Sequence, residues 1–134
     1  MTGIADTGFL VAFANRRDEF FPWAHSLAER VEEPLLTCEA VLAEAAFHLR
    51  NSGLALRLVE TGLVRLAFDI DSHRAELAAL AKRYADREPD MADLCLIRMS
   101  ELNPRLPVIT VDGDFRIYRR NRRETIPVLM PPGL

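Results

Sequence analysis

Thr2-Gly3-Ile4-Ala5-Asp6-Thr7-Gly8-Phe9-Leu10-Val11-Ala12-Phe13-Ala14 is the stretch whose reading decides the fold. Residues 2–6 form a short apolar strand, and an apolar helix begins at Thr7. Asp6 stands at the junction. A carboxylate closing an apolar strand must be paired, or its burial is costly enough to force protonation. The pattern returns near the other end, where Val108-Ile109-Thr110-Val111 closes on Asp112. Two more acids, Glu44 and Asp93, interrupt otherwise apolar helices. Four acids gathered at one place need a counter-charge, and the usual one is a divalent cation. They point to a magnesium or manganese site built for phosphate chemistry.

The rest of the chain alternates strand and helix. Trp23, Leu27 and Val31 recur at helical spacing within 21–32, and a second strand follows at Pro34–Thr37. A helix from about Glu39 to Arg50 stops near Asn51-Ser52-Gly53, and another covers Leu54–Glu60. Leu63–Phe68 is a third strand. Asp71 or Ser72 caps a helix continuing to about Ala85, and Met91–Leu102 forms the last helix. Pro107–Val111 and Ile126–Met130 supply the fourth and fifth strands, and no tight hairpin signal interrupts the series. This pattern predicts an α/β fold: one domain over residues 1–134, three layers deep (α/β/α), with a central parallel sheet of four to five strands.

Ligands of such sheets bind beyond the carboxyl ends of the strands, where strand order reverses. Asp6 and Asp112 therefore emerge on one edge. Glu44 lies in the helix after the second strand, and Asp93 in the first turn of the helix before the fourth. Asp90 shares a helical face with Asp93, although it also suits a cap. Asp112-Gly113-Asp114 also suits a plain turn. The formal net charge of −3 argues mildly against nucleic-acid binding, but Arg116, Arg119, Arg120, Arg122 and Arg123 crowd together around Tyr118. Cys38 and Cys95 belong to no metal-type pair and read as reduced, buried thiols. His25, His48 and His73 fall in no ligand motif. The first apolar run is too short for a signal sequence and nothing is long enough to span a membrane, so a cytoplasmic location is expected.

These segments resemble the PIN domain ribonucleases, and especially the VapC-like toxins of bacterial toxin–antitoxin pairs. Asp6-Thr7-Gly8-Phe9-Leu10-Val11-Ala12 is similar to the family's opening strand and helix. Thr37-Cys38-Glu39-Ala40-Val41-Leu42-Ala43-Glu44 resembles its second motif, Pro89-Asp90-Met91-Ala92-Asp93-Leu94 its third, and Ile109-Thr110-Val111-Asp112-Gly113-Asp114-Phe115 its fourth. The four occur in order and span almost the whole chain. The resemblance implies a metal-dependent endoribonuclease. Asp6 and Asp93 would hold Mg2+ or Mn2+, Glu44 and Asp112 would complete the catalytic set, and Asp90 would lie beside the metal. Thr110 would sit at the site and touch the RNA. Arg116, Arg119 and Arg120 would grip the RNA backbone, and Tyr118 would stack on a base. The implied partners are a second copy of the chain and a small VapB-like antitoxin, with no membrane involved.

Other readings fit less well. A haloacid dehalogenase-type phosphatase needs a second aspartate where Gly8 stands. A response-regulator receiver needs a late lysine, and the chain's one lysine, Lys82, lies in mid-helix. A catalytically silent PIN-like module acting through a protein or RNA partner is the alternative that keeps the fold. The arginine cluster likewise has a plainer reading, as a solvated surface helix or the dock of an acidic partner.

Overall fold

The computed structural model describes all 134 residues. Its centre is a five-stranded sheet in the order β3-β2-β1-β4-β7, with every pairing parallel. The strands are β1 (Ile4–Ala5), β2 (Leu35–Thr37), β3 (Val64–Leu66), β4 (Val108–Ile109) and β7 (Val128–Leu129). Ile4 pairs with Leu36 on one side and with Val108 on the other. Ile4, Ala5, Val108 and Ile109 are fully buried, as strands covered on both faces must be. The ladders are shorter than the sequence suggests, two or three residues in each strand. Single bonds still reach beyond them, from Asp6 N to Ile109 O (3.0 Å) and from Thr110 N to Leu129 O (3.1 Å).

Six α-helices cover the sheet: α1 (Thr7–Ala14), α2 (Phe21–Ala28), α3 (Glu39–Leu49), α4 (Ser52–Glu60), α5 (Arg74–Arg83) and α6 (Met91–Leu102). Local chemistry sets their starts. Asp6 caps α1 by accepting from Thr7 N, Asn51 caps α4 by accepting from Leu54 N, and Asp90 caps α6 by accepting from Asp93 N. α2 carries Pro22 in its first turn. The last helix, α6, is the most enclosed, with Ala92, Leu94, Cys95, Leu96, Ile97, Met99 and Ser100 all buried. Cys38 and Cys95 are buried free thiols, as expected. No helix is long and apolar enough to cross a membrane.

Close packing fixes the junction between α1 and the residues after β4. A Cβ placed on Gly8 would lie 2.4 Å from Val111 Cγ2. The stiff β-branched Val111 has little room to give. Gly8→Ala is therefore expected to destabilise the chain by about 1–3 kcal/mol, the range for overpacking. An unhindered Gly→Ala change in a helix instead gains about 0.5–1 kcal/mol, so a urea denaturation curve decides the sign.

One element departs from the sequence reading. The arginine-rich stretch is a 3-10 turn (Gly113–Arg116) followed by an antiparallel hairpin, β5 (Arg119–Arg120) with β6 (Glu124–Thr125). Its turn puts Asn121 and Arg122 at φ 48° and 72°. Glycine usually marks such a turn, and here none does.

Candidate active site

β1 lies at the middle of the sheet, with the chain running outward first to β2 and later to β4. Strand order thus reverses at β1, and the carboxyl ends of β1 and β4 open a crevice there. A cleft of about 430 Å³ occupies this edge. Asp6 and Asp112 enter it from the strand ends, Glu44 from α3, and Asp90 and Asp93 from the start of α6. Asp18 and Glu19, from the loop between α1 and α2, form a further wall with Phe20. Seven carboxylates line the cleft, together with His48 and no lysine or arginine.

Asp6 is the most firmly held. Only 6% exposed, its Oδ1 accepts from Thr7 N (2.6 Å) and its Oδ2 from Thr110 Oγ1 (2.6 Å). Thr110 Oγ1 in turn accepts from Asp112 N at 2.9 Å, and Asp112 Oδ1 accepts from Asp114 N at 2.9 Å. One chain of hydrogen bonds thus ties the ends of β1 and β4 together. Thr37 adds a third strand end, donating from Oγ1 to Ala5 O at 2.9 Å. Asp93 Oδ2 accepts from the Tyr118 hydroxyl at 3.2 Å. Glu44 Oε1 lies 3.8 Å from His48 Nε2.

The electrostatics follow from burying like charges together. Burial pushes the Asp6 carboxyl up to about 6, against the hydrogen bonds from Thr110 and Thr7, with the Asp112 and Asp90 carboxylates adding to the rise. Burial and then the Asp90 carboxylate raise Glu44 to about 7. Burial followed by the charges of Asp90, Asp6 and Asp112 lifts Asp93 to about 7, with the Tyr118 hydroxyl pulling the other way. Burial and the facing Asp93 carboxylate raise the Tyr118 phenol as well. Three carboxyls poised near neutrality in a cleft without lysine or arginine make a strong attractor for cations. As placed, no three carboxylate or imidazole groups converge closely enough to form a closed chelate, so the donors surround the cleft.

Three residues expected to touch RNA do not reach solvent. Arg120 is 4% exposed, with its guanidinium bonded to Ser100 O (3.0 Å), Ser100 Oγ (2.9 Å), Pro104 O (2.9 Å) and Glu124 Oε1 (2.6 Å). It joins the hairpin to the end of α6. Tyr118 is 1% exposed and packs edge-on against Tyr84 and Phe115, so it has no face for a base. Thr110 is fully buried behind Asp6. Arg119 is half-buried, its Nη1 folded back on the carbonyls of Arg116, Ile117 and Tyr118. Arg116 alone of the expected RNA-contacting residues is exposed. Removing a buried cation that satisfies several acceptors is strongly destabilising. Arg120→Ala is expected to cost about 3 kcal/mol or more in chemical denaturation, whereas Arg116→Ala leaves stability nearly unchanged.

The sequence reading passed over Asp18, Glu19, Thr7 and His48. Asp18 and Glu19 sit in a polar loop with no local sign of what they face. Thr7 is buried beside Asp6, and its Oγ1 has no hydrogen-bond partner. His48 did carry a signal, standing four residues after Glu44 and hence on the same helical face.

A parallel sheet with an acidic crevice at its reversal point defines the class: an α/β protein whose site belongs to the strand ends. The PIN domain family model matches residues 4–121, and the chain belongs to that family. No curated protein matches it in sequence. Among solved structures it is similar to VapC20 of Mycobacterium tuberculosis, described as a sarcin–ricin loop cleaving toxin. The identity is 19%, the TM-score 0.74, and the match covers 95% of this chain and all of that one. At that identity the likeness carries the fold.

Proposed function

We propose that this chain is a divalent-metal-dependent endoribonuclease, the toxin of a VapBC-type toxin–antitoxin pair, with Asp6, Glu44, Asp93 and Asp112 as its catalytic set. The observation that carries the reading is the meeting of these acids from four separate segments in one cleft that holds no lysine or arginine. The donor chemistry fits a metal ion. Carboxylate oxygens suit Mg2+ and Mn2+, and the raised Asp6, Glu44 and Asp93 carboxyls lack a protein counter-charge. Thr7, another residue of the cleft lining, keeps a buried Oγ1 without a hydrogen-bond partner.

Asp6 and Asp93 would hold the ion, with Glu44, Asp112 and Asp90 around it. A bound divalent ion supplies positive charge to the scissile phosphate and lowers the pKa of an attacking water. The chain's own part is positioning. Thr110 and the Thr7 amide fix both oxygens of Asp6, while the Tyr118 hydroxyl holds Asp93 Oδ2 and Asp90 accepts from Asp93 N. These fixed dipoles need no rearrangement when the phosphate arrives. Arg116 lies in the turn directly after Asp112, and Arg87 pairs with Asp114 of the same turn at 3.7 Å. In this reading both would meet flanking phosphates. Phe47 (76% exposed) and Leu56 (54% exposed), on the adjoining helices α3 and α4, offer apolar surface for a second copy or an antitoxin.

Cleavage of a mixed transfer and ribosomal RNA pool tests the reading, run with Mg2+, with Mn2+ and with a chelator. Discrete cuts that disappear with the chelator are expected. Absence of cutting together with absence of ion binding would favour the silent-module alternative.

A further inference from the structure

The basic side chains are not spread evenly over the chain. Residues 82–88 and 113–125 hold eight lysines and arginines against four acids, whereas the remainder holds nine against sixteen. The fold joins these two segments along one seam, between the end of α5 and the β5–β6 hairpin. The Tyr84 hydroxyl donates to Arg119 O (3.3 Å) and accepts from Arg119 N (2.8 Å). Arg83 lies over the Tyr84 ring, 5.7 Å from its centroid, and donates from Nη2 to Arg122 O. Arg87 reaches Asp114 in the turn that follows Asp112. Arg120 is buried as the hairpin's anchor, and Arg119 folds back on its own turn. Arg83, Arg87, Arg116, Arg122 and Arg123 stay exposed, and the last three have no carboxylate partner.

We propose that these five arginines form a phosphate track for RNA, running from the turn after Asp112 across the seam to Arg83, Arg122 and Arg123. The proposal rests on the nuclease reading above and deepens it by saying where the substrate lies. Seven carboxylates line the cleft and repel a polyanion, so cations outside it must hold the RNA. Contacts to phosphate supply most of the sequence-independent affinity for nucleic acid. Like charges gathered on one surface without partners repel one another, and a polyanion removes that cost. A merely solvated surface would mix the two signs. The mount is also fixed. Asn121 and Arg122 hold φ of 48° and 72°, a left-handed backbone that residues other than glycine seldom adopt. Arg120 ties that turn to Ser100 and Pro104, and Arg83 holds the Arg122 carbonyl.

Fluorescence anisotropy of a mixed-sequence single-stranded RNA oligonucleotide with the full chain, at several salt concentrations and with chelator to prevent cleavage, tests the track. Two double variants remove equal charge. Arg122→Asn with Arg123→Gln lies within the track, and Arg57→Gln with Arg65→Gln lies outside it, at exposed positions of α4 and β3. Asparagine tolerates the left-handed backbone at 122. The track variant is expected to weaken binding at least about fivefold and to lower the salt slope by about 1.4, at roughly 0.7 per phosphate contact. The outside variant should stay within about twofold of the wild type, and Arg83→Gln should lower the slope by about 0.7. Melting curves check that each variant folds. Equal losses in the two double variants, an unchanged slope in the track variant, or a wild type that does not bind RNA would each overturn the proposal. So would a track variant that loses poly-glutamate binding and keeps RNA binding, which would mark a dock for an acidic protein. Track-dependent binding without cleavage under Mg2+ or Mn2+ would overturn the nuclease reading and leave the track standing.

Discussion

Asp6→Asn is expected to lower metal-dependent RNA cleavage by at least about 100-fold, since even outer-shell partners of metal ligands are worth 10–100-fold. In the same variant the metal-free protein should become more stable at neutral pH. The Asp6 carboxyl is pushed from its ordinary 3.8 up to about 6 in the fold. The folded state therefore keeps a proton that the unfolded chain releases between these values. Stability is full below the unfolded value and falls as pH rises through about 6. The loss corresponds to roughly 3 kcal/mol at neutral pH, at 1.36 kcal/mol per pH unit. Asparagine has the same shape and no charge to bury, so it escapes most of that loss. Thermal melting with chelator should show Asp6→Asn several degrees above the wild type at pH 7.5 and close to it at pH 4. Saturating Mn2+ should raise the wild type and not the variant, because only an ion-binding folded state gains from added ligand. A variant that melts lower at pH 7.5 than at pH 4, relative to wild type, would show that Asp6 is not held against its charge.

The second large effect is the pH dependence of metal binding. Asp6, Glu44 and Asp93 are raised to about 6, 7 and 7, and each must lose its proton to ligate a cation. Apparent affinity for Mn2+ should therefore climb by at least about 100-fold between pH 5.5 and 8, with protons released on binding. Ordinary carboxylates, ionised well below pH 5, would give less than about a twofold change over that range. Calorimetry in two buffers of different ionisation heat counts the protons directly. A flat profile would mean that the acids are already ionised and that their crowding is relieved some other way.

Which parts of this were legible in the sequence follows from how local each signal is. The acids at strand ends were legible because parallel strands in one sheet put all their carboxyl ends on one edge. Asp6 and Asp112 then had to emerge together. Asp93 could be placed from the helix start that Asp90 marks. Asp18 and Glu19 were not legible, since only the path of the loop between α1 and α2 brings them to the cleft. The arginine cluster misled for a different reason. Charge density implied an exposed face, but the hairpin turns on Asn121 and Arg122 at positive φ without a glycine to announce it. That hairpin carries Arg120 inward onto Ser100 and Pro104. Tyr118, set within the arginine-rich stretch and looking solvent-facing, is buried by the same fold and bonds to Asp93.

In the proposed function the four acids form one divalent-ion site. Mn2+ isotherms at pH 8 for Asp6→Asn, Glu44→Gln, Asp93→Asn and Asp112→Asn beside the wild type test it most directly. A shared site predicts that each change weakens the same single isotherm, by at least about tenfold for Asp6 and Asp93. Mn2+ binding of wild-type strength in Asp6→Asn or Asp93→Asn would contradict it.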